Sequence, residues 1–160
     1  MGHDSAIAQV TEAAGLTTVT IKQRRTRYLD EFVGLTCAPD LLALRVFPNA
    51  KEITESMAAY HAVRSHLWRT FKPGDSSVTL VAVGDGCTPR TAALFAMRTA
   101  WTCHSVDPRL RATDWAVRRL TCWPNKIEDV ARVAERAIIV AVHSHADLHA
   151  SIAAVRAPRR

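Results

Sequence analysis

The chain has 160 residues, a 48% apolar share, a 22% charged share and a formal net charge of +6 with a pI near 9.6. This is enough apolar material for a real core in one globular domain with a small N-terminal appendage. No run approaches the roughly 18 apolar residues that a membrane span needs. The start, MGHDSAIAQV, lacks the basic and apolar regions of a secretion signal, and Ala6 stands where the myristoylation pattern needs Ser or Thr. Leu16 to Ile21 (LTTVTI) is β-branched and predicts a strand, followed by the basic run Lys22 to Arg27. Leu41 to Phe47 (LLALRVF) reads as a strand or as a short helix, and Pro48 ends it. We place a boundary here: residues 1–48 form the appendage, with possible extra strands, and 49–160 the main domain.

Asn49 opens a helix. It can cap free N–H groups, and Glu52 three residues later completes a capping box. Ile53, Met57, Tyr60, Leu67 and Phe71 recur at helical spacing and predict a face that packs on a sheet. Val78 to Val83 is a strand leading into Gly84-Asp85-Gly86, and Thr88 and Pro89 suit the cap and first position of a helix running to about Thr99. Trp101 to Val106 is the next strand, stopping at Asp107; Val117 to Cys122 is a third. Ile127 to Arg136 predicts a helix. Ala137 to Val142 (AIIVAV) lacks alternation and predicts a strand buried on both faces. Residues 146–156 form a last helix, and 157–160 a basic tail.

Strands alternating with helices predict βαβ units and a parallel sheet, whose ligands sit outside the carboxyl ends of the strands. Those ends carry Gly84-Asp85-Gly86, Asp107, Asn125 to Asp129 and His143-Ser144-His145. Glycines let backbone approach a ligand, a helix N-terminus offers free N–H groups, and an acid ending the second strand suits ribose hydroxyls.

On these residues, Val78 to about His149 resembles the class I S-adenosylmethionine-dependent methyltransferases. The resemblance implies an α/β fold with a Rossmann-like, mostly parallel sheet flanked by helices, and S-adenosylmethionine as cofactor. It implies that Gly84 and Gly86 hold the methionine part, Asp107 the ribose, and Glu128 or Asp129 the adenine side. It also implies that His143 and Ser144 face the substrate. Ala82 stands where the family has an acid, and Asp85 is the substitute charge beside it. Thr88 replaces a third glycine, the amino-group methyltransferase signature is replaced by VHSHA, and the chain ends soon after the fourth strand. The sheet is therefore either shortened or completed in permuted order by the N-terminal strands. The implied reaction is in-line methyl transfer, which needs positioning more than acid–base chemistry; His143 or His145 would take a proton from the acceptor.

The basic balance permits a polyanionic partner and makes nucleic acid, RNA included, the first acceptor considered. Arg90, Arg109, Arg111, Arg118 and Arg119 would rim an anion groove if they shared a face; Trp101, Trp115 and Trp123 read as core or cleft walls. Two rivals stand beside methyl transfer. One is a non-catalytic Rossmann-like module within a homo-oligomer or larger assembly. The other is a metal-dependent hydrolase using HSHADLH (His143 to His149), against the simpler reading that His145, Asp147 and His149 lie on an exposed helix start. Four scattered cysteines without a CxxC pair read as free thiols, buried at Cys103 and Cys122, which points to the cytoplasm.

Overall fold

The structure, a computed structural model, describes residues 7–13, 16–22, 27–130, 134, 136–142 and 144–156, the first two segments and Arg156 by backbone alone. His143, the tail 157–160 and most of the Lys22–Arg27 run lie outside the described residues.

Strands β1 (Ile7–Ala13) and β2 (Leu16–Lys22) form an antiparallel hairpin that is a two-stranded sheet of its own. Helices α1 (Arg27–Val33) and α2 (Ala38–Ala43) follow. Leu41 thus belongs to a short helix, and the chain turns at Arg45, which has φ 57°. Among the described residues the main sheet is therefore not extended from the N-terminal side and has four strands, all parallel.

Helix α3 (Ala50–Leu67) starts where the sequence predicts, with the Glu52 N–H donating to Asn49 Oδ1 at 3.1 Å. Its buried face, Ile53, Met57, Tyr60 and Val63, meets α1 and the next helix rather than lying flat on the sheet. Strand β3 (Thr79–Val83), helix α4 (Arg90–Arg98), strand β4 (Thr102–Val106), strand β5 (Leu120–Trp123) and strand β6 (Ala137–Ala141) complete the core, and α5 (Leu148–Arg156) closes it. The sheet order is β5-β4-β3-β6. Successive residues of β3 face opposite sides. Leu80 and Ala82 join α3, α4, Trp101, Phe32 and Leu41 in the larger core, while Val81 and Val83 join Ile127 and Val155 on the other face.

Three expectations are corrected. Of the segment expected to be a helix from Ile127 to Arg136, Ile127–Asp129 forms a 3₁₀ turn and Val130 is already extended at φ −83°, ψ 112°; residues 131–133 and 135 lie outside the described residues. The third strand starts three residues late, because Arg119 adopts φ 61°, a left-handed bend. Strand β6 is an edge strand: among the described residues only β3 pairs with it. Its burial alternates, with Ile138 and Val140 inward and Ala141 exposed. An apolar run reports hydrophobicity, not the number of neighbouring strands.

All four cysteines are free, and burial pushes the Cys103 thiol up to about 12 and Cys122 to about 11. Among the described residues no helix is long and apolar enough to cross a membrane.

Candidate functional site

The glycine turn connects β3 to α4 at the carboxyl edge of the sheet. Gly84 and Gly86 have φ 72° and 93°, a region costly for a residue with Cβ. Space forbids a side chain at Gly84 as well. A Cβ there would lie 2.7 Å from Ser144 Oγ and 3.0 Å from Ser144 Cα, so the segment after β6 rests directly on this glycine.

Asp85 points inward and is 3% exposed. Its Oδ1 accepts the Thr91 N–H at 2.9 Å; its Oδ2 accepts the Ala92 N–H at 3.1 Å and the Ser105 hydroxyl at 2.9 Å. It thereby caps α4 from the preceding turn, a task that the formal cap residue, Pro89, cannot perform. A Ser56–Thr91 hydroxyl pair at 2.9 Å extends the network to α3. Burial pushes the Asp85 carboxyl above the usual range against these hydrogen bonds. Ser105 was not singled out from the sequence; its one signal is a hydroxyl residue between apolar neighbours near the end of β4.

Asp107, 2% exposed, ends β4. Its Oδ2 accepts the Gly86 N–H at 2.8 Å, and its Oδ1 accepts the Arg109 backbone N–H at 2.8 Å. The Arg109 guanidinium adds a fork, Nε to Oδ1 and Nη2 to Oδ2, both at 3.2 Å. Burial alone would raise the Asp107 pKa, but the Arg109 side chain and amide and the Gly86 N–H outweigh it and hold the carboxyl below its ordinary value. The unfolded carboxyl titrates near about pH 4, so this stabilisation is complete above that pH and is lost as the pH falls through the lower folded value. Urea melts between about pH 2.5 and 6 should show that loss, and Asp107→Asn should flatten it. An identical acid slope in the variant would remove this cluster as its source.

Beside this turn lies a cleft of about 530 Å³, between the carboxyl ends of β3 and β6 and across those of β4 and β5. Gly84, Asp107, Glu128 and His145 line it, with Arg109 and Lys126 as its cations. Of the residues predicted for this site, Asp85, Gly86 and Asp129 are outside the lining: Asp85 lies beneath the turn and Asp129 on the 3₁₀ turn. Lys126 carries no sequence signal beyond its place after β5.

The five arginines do not share one face. Arg90 is buried against Glu52 and Glu55 of α3. Arg119 donates to Ala96 and Thr99 carbonyls at 3.0 and 2.8 Å, at the far end of α4. Trp101 is fully buried, with its indole N–H on Lys72 O at 2.7 Å; Trp115 and Trp123 are half-buried. In the histidine cluster, His145, Asp147 and His149 are exposed. Asp147 caps α5, its Oδ1 accepting the Ala150 N–H at 2.8 Å. Among the described residues no group of three His, Cys, Asp or Glu is placed to hold a metal ion.

Comparison with protein-family models, with curated proteins and with solved structures finds no match to this chain.

Proposed function

We propose that the cleft binds S-adenosylmethionine and that the protein is a methyltransferase of Rossmann-like topology. The observation that carries the reading is one cavity at the carboxyl edge, lined by Gly84, Asp107 and Glu128, where the strand order reverses. In chain order the sheet reads third, second, first, fourth, as in the first four strands of a doubly wound fold, whose ligands sit at that reversal. Its volume of about 530 Å³ suits a nucleoside-sized ligand.

The cofactor supplies a methyl group already activated on a sulfonium. The rest is positioning by this chain. Gly84 keeps the turn free of side chains, and Glu128 offers acceptors to a base amino group. Each carboxylate oxygen of Asp107 already accepts two hydrogen bonds, which fills its capacity. Ribose hydroxyls therefore take the places of the Arg109 fork, which frees Arg109, with Lys126, to pair with the cofactor carboxylate. His145, exposed on the rim, takes the acceptor's proton, as imidazole can at neutral pH. Nucleic acid is the proposed acceptor class, on net charge.

Calorimetric titration with S-adenosylmethionine and with S-adenosylhomocysteine tests the reading. Micromolar binding of both is expected, weakened by about 1–3 kcal/mol in Asp107→Ala. No heat from either ligand overturns it. A second reading, a non-catalytic module, is favoured by the filled acceptors of Asp107 and by Ala82. It predicts that Arg109→Ala, which uncovers Asp107, still binds neither ligand.

A further inference from the structure

We propose that the amino edge of the sheet, opposite the cleft, is a binding face for the phosphate backbone of nucleic acid. In a parallel sheet, the segments that enter the strands gather at this edge. Here they are tied together. Arg136 Nη2 donates to Thr70 O at 3.0 Å, the Trp101 indole to Lys72 O at 2.7 Å, and the Ala100 N–H to Pro73 O at 2.7 Å. Arg119 closes the series on Thr99 O at 2.8 Å. The approaches to all four strands thus form one continuous surface.

Among the described residues that surface carries Arg69, Lys72, Arg98, Arg118, Arg119 and Arg136 beside one acid, Asp75; Glu135, before Arg136 in the sequence, lies outside the described residues. Arg136 pairs with Asp75 at 2.6 Å. Arg98 and Arg119 complement the carboxyl end of α4, where cations are favoured by the helix dipole. That account does not reach Lys72 and Arg118, which lead into β3 and β5. Arg69, Lys72 and Arg118 are exposed, and none has a partner among the described residues. With Asp75 already paired to Arg136, three solvated cations remain on this face to attract a polyanion.

The choice of nucleic acid over a lipid surface follows from what the edge lacks. The large exposed apolar residues among those described, Val33, Leu42 and Leu148, are all elsewhere, so nothing here enters a bilayer. Phosphate contacts of this kind are independent of sequence and sensitive to salt.

The test is fluorescence anisotropy with a labelled 20-base-pair DNA duplex across a salt series. The triple variant Arg69→Gln, Lys72→Gln, Arg118→Gln should bind at least tenfold more weakly, with the log–log salt slope reduced by about 3, near 0.9 per lost phosphate contact. The control is Arg45→Gln, Lys51→Gln, Arg111→Gln, in which Lys51 pairs with Glu55 at 3.3 Å. These cations lie by the glycine turn: Val46 O accepts the Thr88 hydroxyl, Lys51 precedes Glu52, and Arg111 N donates to Cys87 O. The control should retain duplex binding. Equal losses in the two triples, no binding by the parent chain, or binding to anionic vesicles but not to the duplex would each overturn the proposal. The face does not rest on the cofactor reading: S-adenosylmethionine titrations should be the same for the amino-edge triple and the parent, so either idea can fail alone.

Discussion

Asp85→Ala is expected to destabilise the fold by about 3–5 kcal/mol, the largest effect of any substitution at the glycine turn. The truncation leaves the Thr91 and Ala92 N–H groups and the Ser105 hydroxyl without their acceptor in a site closed to water. Each such buried donor costs about 1–3 kcal/mol, and the three share one acceptor, so the total is less than their sum. It also removes the cap from α4, the helix that packs on both β3 and β4. Chemical denaturation of parent and variant measures the difference; a loss below about 1 kcal/mol would mean that water replaces the carboxylate. Asp85→Asn adds a pH test. Because burial raises the Asp85 pKa, the native state holds its proton more tightly than the unfolded chain. Stability from this group therefore falls as the pH rises from about 4 through the folded value, opposite in sign to Asp107. The amide variant should lose that decline.

Gly84→Ala is expected to destabilise by about 2–4 kcal/mol and, on the proposed function, to abolish S-adenosylmethionine binding. A methyl there meets the Ser144 backbone as well as its hydroxyl, so the chain after β6 must move away from the cleft. Gly86→Ala provides the comparison. Its φ of 93° lies further from the left-handed region open to other residues, but a methyl there meets only the tip of the Arg90 side chain, at 2.9 Å. If the contact with Ser144 matters, the first variant is the worse by both denaturation and titration. Equal losses would attribute the effect to backbone conformation alone.

Much of the architecture was readable in the sequence because its signals are local. Asn49 caps α3 through its own side chain, and the runs before Gly84 and Asp107 end where the strands end. What escaped depends on distant partners. Asp85 reads as a ligand residue beside two glycines; its inward role needs Ser105 from the next strand and Ser56 from α3. Arg90 reads as part of an anion groove until two acids of α3 are placed against it. The edge position of β6 is set by the order of strands, which its own apolar residues do not encode. At the cleft, the sequence signals pointed to Gly84, Asp107 and Glu128, while the fork of Arg109 on Asp107 appears only in three dimensions.

The wall of the cleft built on the β3 turn is held from beneath by hydrogen bonds in a buried site, so it is rigid before any ligand arrives. The conformational entropy of ordering that wall is lost on folding, not on binding. Arg109 is different: its side chain is 69% exposed, and exposed side chains change rotamer within picoseconds to nanoseconds. For a ligand that engages Asp107, an Arg109 guanidinium in rapid exchange would lower affinity by the fraction of time the carboxylate is open, and that factor would appear in the association rate.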